Sequence, residues 1–342
     1  MNAAHTFIIA EAGVNHNGCI DRAKQLIEAA AEAGADAVKF QTFKTEALVT
    51  DTARQADYQS ENTGVVESQF TMLKRLELSE ADHYALLETC QHHRLEFMST
   101  AFDAASVDFL HRLGVQRWKI PSGELLSIPY LRQIARFNQP VILSTGMGDL
   151  DEVRLAVETL LTAGLAKSNL TILHANTAYP TPYQDVNLRA MRTLADTFGV
   201  AVGLSDHSLG IEVPIAAVAL GAQVIEKHFT LDNSLPGPDH KASLEPAELK
   251  SMVQAIRHVE VALGSGEKTV SISEKANVSV ARKRIVATQS IAAGSVFSEQ
   301  NLGLKRGESG AFADQWDTVV GAVAQRSYGV DEGVDAPVSE TP

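Results

Sequence analysis

The sequence predicts an α/β fold made of a TIM (β/α)8 barrel, followed by a small C-terminal domain. Eight apolar strand-like runs, most of them followed by a helical pattern, occupy about 260 residues, which matches such a barrel in size and order. Polar residues close every run, whereas an open doubly wound sheet usually concentrates its chemistry at one switch point. We therefore prefer the barrel to the doubly wound sheet, which is the structural alternative.

The strand-like runs are bounded by residues that cap helices or form turns. They span residues 7–13, 37–42, 96–101, 117–122, 140–146, 169–175, 201–207 and 223–230. The helical patterns between them span residues 21–33, 80–92, 103–113, 151–163, 187–198 and 211–220. Several begin with Asp or Asn, which cap helix N-termini, and glycines such as Gly34 and Gly114 follow helix ends. The long connection 43–79 interrupts the second unit, and we expect it to form a partly ordered lid over the strand ends.

The pattern of the chain changes near residue 266. A predicted helix over residues 245–263 runs into Gly264-Ser265-Gly266, which places a barrel domain at residues 1–266. Residues 267–281 are polar and low in aromatic residues, so we expect them to form a linker. Short strand patterns then predict a second domain over residues 282–342, small enough to depend on a neighbour for stability.

The composition is that of an ordinary soluble globular protein. The 342 residues are 45% hydrophobic and 21% charged, and no apolar stretch reaches the roughly 20 residues needed to cross a bilayer. A net charge of −13 argues against nucleic acid or an anionic membrane as a partner, although local lysines still allow a small anionic substrate. With only two cysteines and no basic N-terminal segment, we expect a cytoplasmic protein without disulfides or a signal peptide.

Two histidines lie at the ends of two successive predicted strands. His207 ends the segment Gly203-Leu204-Ser205-Asp206-His207, and His228 lies in Val224-Ile225-Glu226-Lys227-His228-Phe229. The carboxyl ends of barrel strands share one mouth, so the two imidazoles can face each other, and neutral imidazole is a common ligand for a divalent metal. Two structural histidines are the alternative. The pairing, with Glu226 on the same strand face as His228, favours a metal site.

Strand alternation predicts which other side chains share this mouth. Residues two apart lie on one face, and barrel active sites use the last inward positions of the strands. This rule selects Glu11, Lys39, Gln41, Thr100, Lys119, Ser122, Glu124, Ser144, Asn176, Ser205, His207, Glu226 and His228. The rigid loop Pro236-Gly237-Pro238-Asp239-His240 can aim Asp239 inward, although such a motif by itself is more often a turn.

Lys39 and Lys119 stand inside apolar runs, where an unpaired ammonium group is costly and needs an anionic partner. One interpretation is a structural ion pair with a protein carboxylate. The other is the phosphate or carboxylate of a substrate, with the hydroxyl groups of Ser122, Ser144 and Ser205 as neutral donors. Two lysines and several hydroxyls at one mouth favour the substrate. The lysines alone also allow an aldolase that forms a Schiff base.

With these motifs in view, the chain resembles the sialic acid synthase family, which includes N-acetylneuraminate, legionaminate and pseudaminate synthases. The matching motifs lie in order along nearly the whole chain, at residues 9–18, 38–42, 97–100, 118–124, 143–147, 179–182, 204–207, 226–230 and 236–240. The C-terminal part, from residue 291 to Lys305-Arg306, resembles the antifreeze-like domain of this family, the SAF domain of β-clip fold.

The resemblance implies a metal-dependent condensation of phosphoenolpyruvate with an N-acetylated hexosamine, with release of phosphate. It implies that His207 and His228 bind the divalent ion, Mn²⁺ before Mg²⁺ or Co²⁺. Phosphoenolpyruvate would be held by Lys39, Thr100, Lys119, Ser122, Ser144, Asn176, Thr177 and Ser205. The sugar would contact Glu11, Gln41, Tyr179, Asp239 and Arg306. In the family this arginine reaches into the partner's site, which implies a domain-swapped homodimer.

The roles expected in catalysis follow from that chemistry. Lys39 and Lys119 stabilise the phosphate charge, and Glu11 and Glu124 are our two hypotheses for the group that deprotonates the attacking water. The resemblance favours the N-acetylneuraminate branch, with N-acetylmannosamine as the sugar. The alternative is a legionaminate synthase that uses 2,4-diacetamido-2,4,6-trideoxymannose, or a pseudaminate synthase. A non-catalytic sugar-binding protein is the alternative from another class, and the presence of both histidines and both lysines argues against it.

Overall fold

The computed structural model describes residues 5–337, without the side chains of Asp57, Tyr58 and Glu61, and divides the chain into two compact units, residues 1–265 and 266–342. The predicted end of the second domain, at residues 338–342, lies outside the described residues. Within the part of the chain that is described, no helix combines the length and the apolar character needed to cross a membrane.

The first unit contains the predicted eight-stranded parallel barrel. Its strands are β1 Phe7–Gly13, β2 Ala37–Thr42, β3 Glu96–Ala101, β4 Trp118–Ile120, β5 Val141–Ser144, β6 Leu170–Ala175, β7 Ala201–Asp206 and β8 Val224–His228. They pair in the order β3-β2-β1-β8-β7-β6-β5-β4, so the barrel is nearly closed, with β3 and β4 at its seam. The prediction of a TIM barrel is confirmed.

Most helices of the first unit match predicted helical patterns, but three short helices in the connection 43–79 and the helix at residues 128–135 were not predicted. The helices are α1 Ile20–Ala33, α2 Thr45–Leu48, α3 Asp57–Thr63, α4 Gln69–Lys74, α5 Glu80–His93, α6 Ala104–Leu113, α7 Ile128–Ala135, α8 Leu150–Thr162, α9 Ala190–Phe198, α10 Glu212–Ala219 and α11 Pro246–Leu263. Asp103 and Asp149 cap α6 and α8 through their side chains, which accept hydrogen bonds from backbone N–H groups of the first turn.

Five strands, β4 to β8, are shorter than their apolar runs, and proline explains part of the difference in two of them. The run predicted over residues 117–122 is a strand only over Trp118–Ile120, because Pro121 has no N–H to donate and Ser122–Glu124 turn into a 3₁₀ helix. Strand β5 starts after Pro140 for the same reason. In β7, Gly203 is required by close approach, since a Cβ there would lie 2.1 Å from the carbonyl oxygen of Val224.

The connection 43–79 holds three short helices, α2 to α4. Their apolar side chains form a cluster of their own with the start of the first loop, composed of Val14, Phe43, Met72, Leu73 and Leu76. This cluster gives the connection a packed interior, so the predicted lid has regular structure over much of its length.

The second unit is small and has its own apolar core. Strands β9 Arg284–Ala287 and β10 Leu302–Lys305 pair in an antiparallel fashion. Its core contains Ile285, Ile291, Phe297, Leu302, Val319 and Tyr328. Residues 267–281, expected to form a linker, include helix α12 Lys275–Ala281, and α13 Trp316–Val319 lies near the end of the unit.

Candidate active site

A pocket of about 520 Å³ opens at the carboxyl ends of the barrel strands. Its polar wall comes from the strands and the loops that follow them, and it includes the predicted site residues Glu11, Lys39, Gln41, Thr100, Lys119, Ser122, Glu124, Ser144, Thr177, Tyr179, Ser205, His207, His228 and Asp239. An apolar wall faces these groups, with side chains from the connection 43–79 such as Leu48, Val49 and Met72. The roles predicted for the polar residues stay predictions, but the fold brings these residues together.

The two histidines at the ends of β7 and β8 are close neighbours. Their ring centroids are 5.4 Å apart, and the ring of Tyr179 lies 4.2 Å from that of His207. His207 Nδ1 donates to the carbonyl oxygen of Asn176 at 2.5 Å, and because a carbonyl only accepts, Nε2 keeps the lone pair. His228 Nδ1 is buried and has no hydrogen-bond partner among the described residues.

Burial lowers the pKa of both imidazoles, that of His228 well below its usual value of 6.5, so both rings are neutral at pH 7. Two neutral imidazoles, one with an unpartnered nitrogen, fit a divalent transition ion better than Mg²⁺, which prefers oxygen ligands. The described residues contain no group of three or more His, Cys, Asp and Glu side chains arranged around a metal position.

Both mouth lysines have protein carboxylates as partners. Lys39 Nζ lies 2.5 Å from Glu11 Oε2 and 3.5 Å from Glu226 Oε2, and Lys119 Nζ lies 3.2 Å from Glu226 Oε1. All four side chains are at most 5% exposed. The ion pair with protein carboxylates, which the sequence left as the alternative, is therefore formed and faces the pocket, and binding of substrate by these lysines stays a prediction. Two ammonium groups balance two carboxylates, because unpaired charge at this depth is costly.

Burial and neighbouring charge shift the pKa values of the Glu11 and Glu226 carboxyl groups in opposite directions. Burial raises the pKa of Glu11 to about 7, against the opposing effect of Lys39. Burial also acts on Glu226, but Lys119 and Lys39 together outweigh it and hold the pKa of that carboxyl below its usual range. Burial lowers the pKa of Lys119 despite Glu226, whereas Glu11 and Glu226 outweigh burial at Lys39 and raise its pKa. Glu226 is therefore the permanent counter-charge of the site.

Most of the hydroxyl groups expected to hold substrate already form hydrogen bonds within the protein, and one does not. Ser205 Oγ donates to Glu226 Oε1 at 2.7 Å, and Thr100 Oγ1 accepts from Lys39 Nζ at 3.1 Å. Ser122 Oγ accepts from the N–H of Gly146 at 2.9 Å. Ser144 Oγ is buried without a hydrogen-bond partner in the described part of the chain. An unpaired buried hydroxyl is costly, so this one is available to a ligand.

One predicted residue of the first unit, Asn176, does not line the pocket. The side chain of Asn176 bonds within its own loop, where Oδ1 accepts from the N–H of Ala178 at 2.8 Å. It contributes to the site through its backbone carbonyl, the acceptor of His207. Arg306 is an exposed residue of the second unit, after β10. Its predicted contact with the sugar in a partner's site, and the domain-swapped homodimer, stay predictions.

The sequence placed Glu226 at the mouth, on the strand face of His228, but did not identify it as the partner of the lysines, although the structure gives it three partners. The i, i+2 spacing from His228, together with two buried lysines in need of an anion, is the signal that could have identified it. The apolar wall carried no such signal, since Leu48, Val49 and Met72 lie in a connection whose course cannot be read from periodicity.

Known proteins are similar to this chain over most of its length. A model of the NeuB family matches residues 26–268, and a model of the SAF domain matches residues 282–334. The chain is 51% identical over 318 residues to an N,N'-diacetyllegionaminic acid synthase of Legionella pneumophila, covering 92% of this chain and 89% of that protein. It is 48% identical over 327 residues to the protein of the same name in Campylobacter jejuni, covering 96% and 98%.

Among solved structures, an N-acetylneuraminic acid (sialic acid) synthetase from Leptospira borgpetersenii is similar, with a TM-score of 0.70 and 34% identity. The match covers 80% of this chain and 90% of that one. The resemblance noted in the motifs is thereby confirmed. The chain belongs to the NeuB family: it is an enzyme of the sialic acid synthase family that carries a C-terminal SAF domain.

Proposed function

We propose that this enzyme condenses phosphoenolpyruvate with 2,4-diacetamido-2,4,6-trideoxymannose and water, giving N,N'-diacetyllegionaminic acid and inorganic phosphate. The relatives named for that product are 48% and 51% identical to the chain, against 34% for the N-acetylneuraminic acid synthetase. The sequence-based preference for N-acetylmannosamine is therefore replaced by its alternative, the legionaminate branch.

The observation that carries the proposal is the convergence of two neutral imidazoles and two ammonium groups on one pocket. In the reaction, carbon 3 of phosphoenolpyruvate forms a bond to the aldehyde carbon of the open sugar, and positive charge develops at carbon 2. Water adds to carbon 2, and the tetrahedral intermediate collapses with cleavage of the bond between carbon 2 and the phosphate oxygen. Phosphate leaves with the bonding electrons.

The lysines supply the positive charge that these reaction steps need. The phosphate and carboxylate of phosphoenolpyruvate compete with Glu11 and Glu226 for the ammonium groups of Lys39 and Lys119. Fixed cations in a site shielded from water stabilise developing negative charge without reorganisation. Ser144 Oγ, buried and unpaired within the described residues, donates a further hydrogen bond to the same anion.

His207 and His228 would hold a divalent transition ion, which would supply Lewis-acid polarisation of the sugar aldehyde. Glu11 and Glu124 are the two candidates for taking the proton of the attacking water, since both line the pocket. Glu11 is buried against Lys39, whereas Glu124 is half-buried in the 3₁₀ turn after β4. Glu11→Gln and Glu124→Gln separate them, because only the variant lacking the base loses turnover with intact binding of phosphoenolpyruvate.

Phosphate release tests the choice of sugar. The enzyme is incubated with phosphoenolpyruvate, Mn²⁺ and either 2,4-diacetamido-2,4,6-trideoxymannose or N-acetylmannosamine. We expect release with the diacetamido sugar at a much higher kcat/KM, and a product whose mass includes both acetyl groups. Preferential release with N-acetylmannosamine would restore the N-acetylneuraminate alternative.

Treating the enzyme with a chelator provides the control for the metal. Removal of divalent ions should lower turnover by about 10³-fold, the equivalent of several kcal/mol of lost charge stabilisation, and Mn²⁺ should restore it. Borohydride should trap no adduct on Lys39 or Lys119. An adduct together with full activity in chelator would indicate the Schiff-base aldolase instead.

A further inference from the structure

We infer that the buried ion pair between Asp206 and Lys227 is a positioning device, which holds the imidazoles of His207 and His228 at the spacing that a shared divalent ion requires. The inference rests on the proposed function, because it takes the two histidines as metal ligands. It adds two residues that do not line the pocket and that lie within the motifs at residues 204–207 and 226–230, where they had no role assigned.

The register of β7 against β8 places the pair beside the histidines. Ser205 is opposite Glu226 and Asp206 is opposite Lys227 in this parallel ladder. The next residues along the two strands are His207 and His228. Because side chains alternate, the ion pair lies on the outer face of the barrel strands, and the imidazoles that follow it lie on the inner face.

The ion pair is fully buried and short. Lys227 Nζ lies 2.5 Å from Asp206 Oδ2, with side-chain exposures of 0% and 2%. Lys227 Nζ also donates to the carbonyl oxygen of Ser208. Asp206 Oδ1 accepts from the N–H and the hydroxyl group of Ser208, at 3.0 and 2.8 Å. Residues 206 and 208, on either side of His207, are therefore both tied to the strand that carries His228.

Two further hydrogen bonds hold His207 itself in place. Its carbonyl oxygen accepts from the N–H of Thr181 at 2.9 Å, and its Nδ1 donates to the carbonyl oxygen of Asn176. Backbone and ring of this residue are thus held by neighbours on both the loop after β6 and strand β8. Groups that orient a metal ligand in this way commonly change metal affinity when they are altered.

Stability alone does not explain a charged pair at this place. The core between barrel strands and helices is mostly apolar, and it includes Ile225 and Leu204 on the same two strands. Replacing a buried ion pair by apolar residues of similar volume is often neutral or stabilising. What an apolar pair cannot do is tie Ser208 to β8 by directional bonds, so the geometry points to orientation of the two histidines.

The test measures Mn²⁺ binding separately from activity. The double variant Asp206→Asn with Lys227→Met removes both charges and keeps an acceptor for Ser208. Free Mn²⁺ is titrated by electron paramagnetic resonance, and the thermal midpoint of unfolding is recorded on the same samples. We expect a folded protein whose Kd for Mn²⁺ is about 10- to 100-fold weaker.

Arg257→Met is the matched control, because it breaks another ion pair far from the mouth. Arg257 binds Asp36 and Glu260 beside the starts of β1 and β2, where it also donates to the carbonyl oxygen of Thr6. We expect it to leave the Kd for Mn²⁺ unchanged, whatever its effect on the thermal midpoint.

Each outcome is informative. An unchanged Kd in the folded double variant overturns the inference and leaves only a structural role for the pair. If the double variant does not fold, Asp206→Asn alone keeps the shape of the side chain and is judged by the same criterion. If the unaltered enzyme binds no Mn²⁺, or binds it as well after His228→Ala, the proposed metal site fails and the inference with it. Binding that is lost in His228→Ala but kept in the double variant overturns the inference only.

Discussion

Two adjacent layers inside the barrel differ completely in character, although the same strands build both. The lower layer is apolar and buried, formed by Ile9, Ala37, Met98, Ile142, Leu173 and Val224. Two residues further along several of these strands come the polar groups of the mouth: Glu11 follows Ile9, Ser144 follows Ile142, and Glu226 follows Val224. The two layers are separated by only about 6.6 Å along each strand.

This difference shows how the barrel separates stability from chemistry. The lower layer needs only shape, since apolar side chains stabilise the fold by leaving water. The upper layer must balance its charges, which Lys39, Lys119, Glu11 and Glu226 do among themselves. Substitutions in the upper layer should therefore alter turnover more than folding, and substitutions in the lower layer should do the reverse.

The largest effect is expected from Lys119→Met. The substitution removes one of two fixed cations, while Glu226 keeps Lys39 and Ser205 as partners. Loss of one preorganised group at a site of developing charge typically costs about 10²–10³-fold in rate. Steady-state phosphate release should show a fall in kcat/KM of this size, and near-normal kinetics would contradict the assignment of this lysine to the substrate.

An intermediate effect is expected from Ser144→Ala. Because Ser144 Oγ has no hydrogen-bond partner in the described part of the chain, its removal should not lower the free energy of unfolding. A lost hydrogen bond to a charged ligand costs about 1.5–3 kcal/mol, which corresponds to roughly 10- to 100-fold in kcat/KM. Urea unfolding checks the free energy of unfolding, and phosphate release by the same preparation checks kcat/KM. A destabilised variant with normal kinetics would mean that this serine belongs to the lower layer in function.

The smallest effect is expected from Ile142→Val, in the apolar layer two residues before Ser144. Loss of one buried methylene should lower the free energy of unfolding by about 0.5–1.5 kcal/mol, with kcat/KM unchanged. The two variants on β5 thus form a matched pair with opposite signatures. A kinetic defect in Ile142→Val without loss of stability would break the distinction between the layers.

Much of the fold was predictable because its signals are local. The bounds of β1, β2 and β3 agree with the apolar runs, since alternation and flanking caps are properties of contiguous residues. Strand β4 is shorter than its run because Pro121 removes a donor, a rule that can also be applied to the sequence. The course of the connection 43–79 was not predictable, since its apolar residues pack on one another without a regular period.

The candidate site was predictable in membership but not in pairing. Strand alternation selected Lys39, Lys119 and Glu226 for the mouth, and it could not tell whether the ammonium groups face a substrate or a protein carboxylate. That depends on how far apart β2, β4 and β8 stand across the barrel, and β4 is not a neighbour of either of the others.

The sequence by itself determined the barrel, the two histidines at the ends of successive strands and the family, because periodicity, capping and ordered motifs are written along the chain. The tertiary structure alone decided that Glu226 balances both lysines, that Ser144 keeps a free hydroxyl among the described residues, and that Asp206 ties His207 to the strand of His228. These are contacts between residues distant in sequence. They depend on strand order, register and side-chain direction, which only closure of the barrel establishes.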